Sequence, residues 1–106
     1  MLKHARHGNT LTVRLDGELD QYSAIRIRQD LDDLIADTRV KRLILDLQGL
    51  TFMDSSGIGV IIGRYRTLLS RGGSVAVCGE SPHVQRIMQL SGLYQIIEKT
   101  NLEKAQ

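Results

Sequence analysis

The sequence contains few of the residues that disulfides and aromatic stacking require. Its one cysteine excludes a disulfide within the chain and is typical of a reducing compartment. It has no tryptophan and a single phenylalanine, which argues against a stacking surface for single-stranded nucleic acid. The formal net charge of +2 is also too small to indicate electrostatic binding to DNA or RNA. We therefore expect no direct nucleic-acid partner.

Long apolar segments are also missing. No apolar run approaches the roughly 20 residues that a membrane-spanning helix needs. No apolar segment typical of a signal peptide follows the first four residues. We therefore expect a cytoplasmic protein without a membrane contact. The length of 106 residues predicts one domain over residues 1–106, with a core of modest size.

The apolar residues that are present follow strand and helix periods in alternation. Thr10–Asp16 alternates apolar and polar residues, which is typical of a strand with one buried face. The nearly continuous apolar stretch Leu43–Leu47 indicates a strand that is buried on both sides. The order β-β-α-β-α-β-α-β predicts the α/β class, with a mixed, mostly parallel sheet of four to five strands. Further strands are predicted over residues 2–7, 75–78 and 94–98, and helices over residues 21–35, 56–70, 82–91 (behind a Ser81 N-cap) and 100–106.

Several polar side chains have structural interpretations. Asp20 is the predicted N-cap of the first helix. Arg28 and Asp32, four residues apart, are predicted to pair on the exposed face of this helix. Cys78 is predicted to pack as a small apolar residue. His4 and His7, three residues apart, would face opposite sides of a strand and could not share a metal ion. We therefore expect no metal site and no cofactor.

The most distinctive stretch, Phe52–Gly59, joins the central strand to the second helix and reads Phe-Met-Asp-Ser-Ser-Gly-Ile-Gly. Asp, Ser and Gly before a helix satisfy the unpaired N–H groups of its first turn. Ser55 and Ser56 are therefore expected at the positive end of a helix dipole, beside the carboxylate of Asp54. This arrangement suits chemistry on a hydroxyl group. The predicted buried face of the helix consists of Ile58, Ile61, Ile62, Tyr65, Leu68 and Leu69.

Two glycines interrupt the same helix. Gly59 and Gly63 lie four residues apart, opposite the predicted buried face. A glycine inside a helix costs up to about 1 kcal/mol relative to alanine, so a compensating gain is expected. Either another helix of the domain packs closely there, or the stripe is a bare surface that the backbone of another protein can approach. Arg64 and Arg66 are predicted to flank this stripe.

Three hypotheses explain the motif. The first is an enzyme or a nucleotide-binding module, since Gly57-x-Gly59-x-x-x-Gly63 after a strand, with Glu80 after the next strand, superficially resembles a dinucleotide fingerprint. Against it, Asp54 would put a carboxylate where a pyrophosphate must approach. A serine hydrolase elbow also fails, because no glycine stands two residues before the serine. The second hypothesis is a purely structural turn, in which the motif only caps the helix.

The third hypothesis is a phosphoacceptor serine on a protein-binding surface. A loop between a strand and a helix exposes its hydroxyl group to a kinase. A phosphate adds nearly two negative charges, which a helix N-terminus tolerates. A partner packed over the loop would have to bury this charge beside Asp54. Phosphorylation would then abolish binding without unfolding the protein.

Residues 52–65 closely resemble the signature of the anti-sigma factor antagonists in the STAS domain family. Gly17-Glu18-Leu19-Asp20 and Ser91-Gly92-Leu93 match two further motifs of this family. The resemblance extends over nearly the whole chain and is strongest for the sporulation members, since stress-response antagonists often carry threonine at the position of Ser56. It implies helices packed mainly on one side of the sheet. The chain departs from the family pattern at residues 101–106, where we expect only a stub of the usual final helix.

The resemblance also implies a partner-switching function. The unphosphorylated antagonist would bind a dimeric anti-sigma factor that is also a serine kinase, and would so release the sigma factor. Phosphorylation by this kinase would end the binding, and a metal-dependent serine phosphatase would restore it. The chain would be a substrate and not an enzyme; the alternatives are a stress-response antagonist and a nucleotide-binding module of the STAS type. The implied phosphoacceptor is Ser55, with Ser56 as helix cap, and the implied partner-binding residues are Asp20, Asp54, Ser55, Ser56, Gly57, Ile58, Gly59 and Gly63.

Overall fold

Strands and helices alternate along residues 2–101, which are the residues that the computed structural model describes. This alternation confirms the predicted α/β class. From the N-terminus, the elements are β1 (Lys3–His7), β2 (Thr10–Leu19), α1 (Ala24–Ile35), β3 (Arg42–Met53), α2 (Ser55–Leu69), β4 (Ser74–Cys78), α3 (Pro82–Leu90), a 3₁₀-helix (Leu93–Gln95) and β5 (Glu98–Lys99).

The five strands form one mixed sheet in the order β1-β2-β3-β4-β5. β1 and β2 form an antiparallel hairpin, and the other neighbouring pairs are parallel. β3 lies at the centre, where Leu45 pairs with Val13 of β2 and with Val77 of β4. The mixed, mostly parallel sheet was predicted from the sequence. β3 runs past the end of β4, whose last residue pairs with Asp46, so the carboxyl end of β3 pairs only with β2, through Met53 and Leu19.

The main core lies between one face of this sheet and the three α-helices. Leu11, Val13 and Leu15 alternate along β2 and are buried, as the sequence predicts. Because the helices share a single core cluster with these strand residues, they pack on one side of the sheet, which confirms the expectation from the family resemblance. The helical members of the cluster include Ile27, Leu31, Ile35, Val60, Ile61, Leu68, Val84 and Met88.

A second, small cluster of Ile44, Ala76 and Cys78 lies apart from the main core. Ile44 alternates with Leu43 and Leu45 along β3, so this cluster lies on the opposite face of the sheet. Burial raises the pKa of the Cys78 thiol to about 11, which suppresses the reactive thiolate. Cys78 therefore packs as a small apolar residue, as predicted.

β2 and β3 are longer than predicted. The alternating pattern predicts that β2 ends at Asp16, and the apolar stretch predicts that β3 ends at Leu47. The strands extend instead to Leu19 and Met53. Two shifts of register accompany the extension, one before Asp16 and one after Gly17, whose φ is +85°. Such bulges accommodate glycines and polar residues that break the alternation. The extension carries β3 directly to the Asp-Ser-Ser-Gly motif.

The C-terminal elements also differ from the prediction. A last short strand is present, as predicted, but its bounds are wrong: it comprises only Glu98–Lys99 and not residues 94–98, because Leu93–Gln95 form a 3₁₀-helix. The Tyr94 hydroxyl donates to Glu80 Oε2 at 2.6 Å and so ties the 3₁₀-helix to the loop after β4. Of the helical turn predicted over residues 100–106, residues 100 and 101 are not helical, and residues 102–106 lie outside the described part of the chain.

The buried face of α2 is rotated relative to the predicted one. Leu69 is 54 % exposed. Gly57 faces inward instead, where an added Cβ would lie 2.5 Å from Met53 Cγ and 2.9 Å from Leu19 Cγ. The missing side chain lets the first turn of α2 approach the ends of β2 and β3 closely. The buried residues of α2 are Gly57, Val60, Ile61, Arg64 and Leu68, and Ile58, Ile62 and Tyr65 are partly buried beside them.

Arg64 is buried, contrary to the expectation that it flanks an exposed stripe. It is 7 % exposed, and its Nε lies 3.0 Å from Asp32 Oδ1 of α1. Burial lowers the pKa of Arg64, and the charge of Asp32 counteracts this shift. The predicted pair of Arg28 with Asp32 is therefore wrong. Asp32 pairs across the α1–α2 contact because a buried guanidinium requires a counter-charge, and Arg28 forms no ion pair or hydrogen bond within residues 2–101.

We expect Gly57→Ala to destabilise the fold by about 1–3 kcal/mol, because the added methyl group overpacks the contact with Met53 and Leu19. Urea denaturation followed by circular dichroism measures this change. Gly63→Ala is the matched control in the same helix. A Cβ at Gly63 meets no atom within 4 Å, so the better helix propensity of alanine should make this variant neutral or more stable. Equal losses of stability in both variants would contradict the packing role of Gly57.

Candidate functional site

Ser55 is the first residue of α2, and it is exposed. Asp54 is the N-cap: its backbone is extended, and its Oδ1 accepts a hydrogen bond from the Ser56 N–H at 2.8 Å. The expectations that the helix begins at Ser56 and that Ser56 serves as its cap are therefore wrong. Because the carboxylate performs the capping, the Ser55 hydroxyl is not needed for it and forms no hydrogen bond within residues 2–101.

The turn that follows β2 lies beside this loop. The Asp54 N–H donates to the Leu19 carbonyl oxygen at 3.3 Å, which holds the ends of β2 and β3 together. Asp20 Oδ1 then accepts hydrogen bonds from the N–H groups of Tyr22 and Ser23, both at 2.9 Å. The hydrogen bond from the Ser23 N–H, aided by that from Tyr22, lowers the pKa of Asp20. Asp20 thus shapes the turn, and the prediction that it caps α1 directly is wrong, since Ser23 holds the N-cap position.

The glycines of α2 have two different environments. Gly59 is exposed and Gly63 is partly exposed, and a Cβ at either position meets no atom within 4 Å. Within residues 2–101, no atom comes close enough to either glycine to require a missing side chain, so close packing within the domain does not explain the two glycines. Gly57 is buried and positions the first turn, and Ile58 is partly buried against the core. Of the residues predicted to bind a partner in α2, Ser55 and Gly59 are therefore the most accessible.

The neighbouring loops do not favour a nucleotide site or a hydrolase. Glu80, the acidic residue of the superficial dinucleotide fingerprint, accepts the hydrogen bond from the Tyr94 hydroxyl. Burial and this hydrogen bond raise the pKa of Tyr94, so the pair stays intact at neutral pH. His83 stacks on Phe52 with ring centroids 5.4 Å apart. A serine nucleophile requires a hydrogen bond to its general base. Within residues 2–101, His83 forms no hydrogen bond to Ser55.

Residues 2–101 contain no group of three or more histidine, cysteine or acidic side chains that could hold a metal ion. None of the helices in this part of the chain is long and apolar enough to cross a membrane.

Sequence reasoning did not single out two exposed apolar side chains near this site. Tyr22 is 83 % exposed and Ile25 is 59 % exposed. Both lie at the N-terminal side of α1, close in sequence to the Asp20 turn. The signal was present in the sequence, because Ile25 lies off the apolar face that Ile27 and Leu31 define. An isolated apolar residue on the polar face of a helix is easily attributed to chance until its exposure is known.

Comparisons with known proteins identify the family. The sequence profile described as "STAS domain" matches residues 2–105. The chain is 43 % identical over 91 residues to the anti-sigma F factor antagonist of Paenibacillus polymyxa, an alignment that covers 86 % of this chain and 78 % of that protein. It is 32 % identical over 90 residues to the anti-sigma-B factor antagonist of Bacillus subtilis, with 85 % of this chain and 81 % of that protein covered.

Solved structures of the anti-sigma factor antagonist SpoIIAA resemble this fold closely. The unphosphorylated form matches with a TM-score of 0.84 at 32 % identity, over 99 % of this chain and 92 % of that chain. The phosphorylated form, from Bacillus, matches with a TM-score of 0.76 at 31 % identity, over 99 % of this chain and 96 % of that chain. The chain therefore belongs to the STAS domain family and is one of its anti-sigma factor antagonists.

Proposed function

We propose that Ser55 is the phosphoacceptor of a switch that controls binding to a serine-kinase anti-sigma factor. The unphosphorylated chain binds this partner, and the partner then releases its sigma factor. The partner phosphorylates Ser55 with ATP, which ends the binding, and a serine phosphatase restores it. The observation that carries the proposal is the exposed Ser55 hydroxyl at the first position of α2, next to the carboxylate of Asp54.

The environments of the two serines favour Ser55 over Ser56 as the acceptor. Ser55 is exposed, whereas Ser56 is partly buried and lines a groove between α1 and α2. The Ser56 N–H is also held by Asp54, which fixes the backbone of the first turn. A kinase requires an accessible hydroxyl group on accessible backbone. Ser55 meets this requirement at the junction of β3 and α2.

A phosphate on Ser55 is compatible with the fold but not with a bound partner. It would lie at the N-terminus of a 15-residue helix, whose N–H groups and dipole favour negative charge. A partner that covers this loop would bury nearly two added negative charges beside Asp54. With an effective dielectric of about 20, repulsion at near contact amounts to a few kcal/mol. This corresponds to a loss of affinity of roughly 10²–10³-fold.

The relatives support a partner of the sporulation type. Identity to the anti-sigma F factor antagonist of Paenibacillus polymyxa is 43 %, against 32 % to the anti-sigma-B factor antagonist of Bacillus subtilis. The serine at position 56 agrees with this branch. SpoIIAA has been solved in phosphorylated and unphosphorylated forms, which supports a phosphorylation switch. We infer that the chain is a substrate of a kinase and a phosphatase, that it acts in the cytoplasm, and that it binds no DNA or RNA directly.

Mass spectrometry after incubation with ATP and the anti-sigma F factor of Paenibacillus polymyxa tests the acceptor site. We expect one phosphate in the peptide that spans Ser55 and Ser56, located on Ser55. Ser55→Ala should bind the kinase and take up no phosphate. Ser55→Asp should fold normally and bind at least tenfold more weakly, because aspartate supplies one of the two charges of a phosphate. Phosphate on Ser56 alone, or parental affinity of the Ser55→Asp variant, would contradict the proposal.

Gly59→Leu tests whether the bare stripe of α2 contacts the partner. A Cβ at Gly59 meets no atom within 4 Å, and leucine has a better helix propensity than glycine, so we expect the free energy of unfolding to change by less than about 1 kcal/mol. The side chain would still hold the partner's backbone away from α2, and we expect the affinity to fall tenfold or more. Gln89→Leu, at an exposed position of α3, is the control. A loss of stability without a loss of affinity would show that the glycine serves packing instead.

A further inference from the structure

A groove separates the N-terminal parts of α1 and α2. Its cavity volume is about 270 Å³. On the α2 side, Gly59 contributes no side chain, and Val60 is buried. Ser56 also lines the groove and is adjacent in sequence to the exposed Ser55, so the groove opens beside the acceptor loop. The lining residues are Ala24, Ile25, Arg28, Ser56, Gly59 and Val60.

One large, exposed apolar side chain lines the α1 side of this groove, and a second precedes α1 in the adjacent turn. Ile25 is a lining residue, and 59 % of it is exposed although α1 buries a different face. Tyr22, which is 83 % exposed, precedes it by three residues and lines a neighbouring cavity on the β2 side of α1. The backbone of Tyr22 is fixed because its N–H donates to Asp20. The ring is therefore presented from a preorganised turn. Tyrosine in such a position is among the residue types that dominate protein–protein binding energies.

Arg28 gives the groove its charge. It is the only charged residue among the six that line the groove, and within residues 2–101 it forms no hydrogen bond or ion pair. Asp32, four residues further along α1, pairs with Arg64 instead. A carboxylate brought into this groove would find an unpaired guanidinium.

We propose that this groove binds an apolar side chain with an adjacent carboxylate from the anti-sigma factor, and that Tyr22, Ile25 and Arg28 determine which anti-sigma factor is bound. The inference rests on the proposed function, because it assigns the groove to the same partner that covers Ser55. Ser56 and Gly59 line the groove and flank the acceptor site, so a protein over Ser55 also covers the groove mouth. Phosphorylation then controls when binding occurs, and the α1 side chains control which anti-sigma factor is bound.

The dimensions of the groove favour this occupant over a second copy of the chain. A stable protein interface buries roughly 1,200–2,000 Å² in total, whereas a groove of about 270 Å³ holds one or two side chains. It fits the role of a pocket within a larger contact surface, where a few well-placed residues carry most of the affinity. The acceptor loop and the bare stripe of α2 supply the rest of that surface.

Calorimetric binding to two purified probes tests the inference. The probes are the anti-sigma F factor of Paenibacillus polymyxa and the anti-sigma-B factor of Bacillus subtilis. We expect Ile25→Ala and Tyr22→Ala each to weaken binding to the first probe about tenfold or more, and to reduce the preference for it over the second probe. Arg28→Glu should weaken binding further than Arg28→Ala, and high salt should reduce this difference. Leu90→Ala, which truncates a residue that is 78 % exposed on α3, should have no effect.

The variants separate this inference from the proposed function. If Ser55→Asp abolishes binding while Ile25→Ala, Tyr22→Ala and Arg28→Glu match the parent, the groove proposal is overturned and the phosphorylation switch stands. If the parent chain binds neither probe, the proposed function is overturned, and the groove assignment fails with it. Sedimentation velocity gives the remaining outcome: a dimer of the parent that Ile25→Ala dissociates would assign the groove to a second copy and overturn the proposal.

Discussion

The hydrogen bond from the Ser56 N–H to the Asp54 carboxylate determines where β3 ends and where α2 begins. The Asp54 N–H bonds in turn to the Leu19 carbonyl oxygen, so the same residue joins the ends of two parallel strands. Gly57 then allows the helix to descend onto Met53 and Leu19. Because Asp54 caps the helix and Gly57 allows the close packing, the Ser55 side chain is not needed for either. Its hydroxyl is left exposed on a rigid support, which is the condition for a modification that changes charge without changing the fold.

In the proposed mechanism, two surfaces that meet at this loop have different roles in partner binding. The acceptor loop and the bare stripe of α2 offer backbone and a modifiable hydroxyl group, which are features that any partner of this class could use. The groove beside α1 offers apolar side chains and the unpaired charge of Arg28, which are features that one partner can match and another cannot. Asp20 contributes to the α1 side of this surface, because its carboxylate accepts the hydrogen bonds that hold the turn carrying Tyr22. A cell with several anti-sigma factors needs both kinds of control.

Much of the fold could be predicted from the sequence, and the failures have physical causes. The start of α3 was predicted correctly, since the Ser81 hydroxyl accepts a hydrogen bond from the Val84 N–H. The ends of β2 and β3 were not predicted correctly. The bulges there accommodate residues that interrupt the alternation of apolar and polar residues typical of a strand. The buried face of α2 was misjudged because periodicity assigns apolar residues to the core and arginine to the surface. The buried position of Arg64 depends on Asp32 of another helix, a tertiary pairing that no local pattern contains.

The central claim is that phosphorylation of Ser55 abolishes partner binding through charge and leaves the fold intact. The most direct measurement compares the phosphorylated and unphosphorylated chains by amide hydrogen exchange over α2 and by affinity for the anti-sigma F factor of Paenibacillus polymyxa. We predict unchanged protection beyond the first turn of α2 and an affinity that falls roughly 10²–10³-fold. Loss of protection along α2 in the phosphorylated chain would show that the switch acts by unfolding the helix, and would contradict this account.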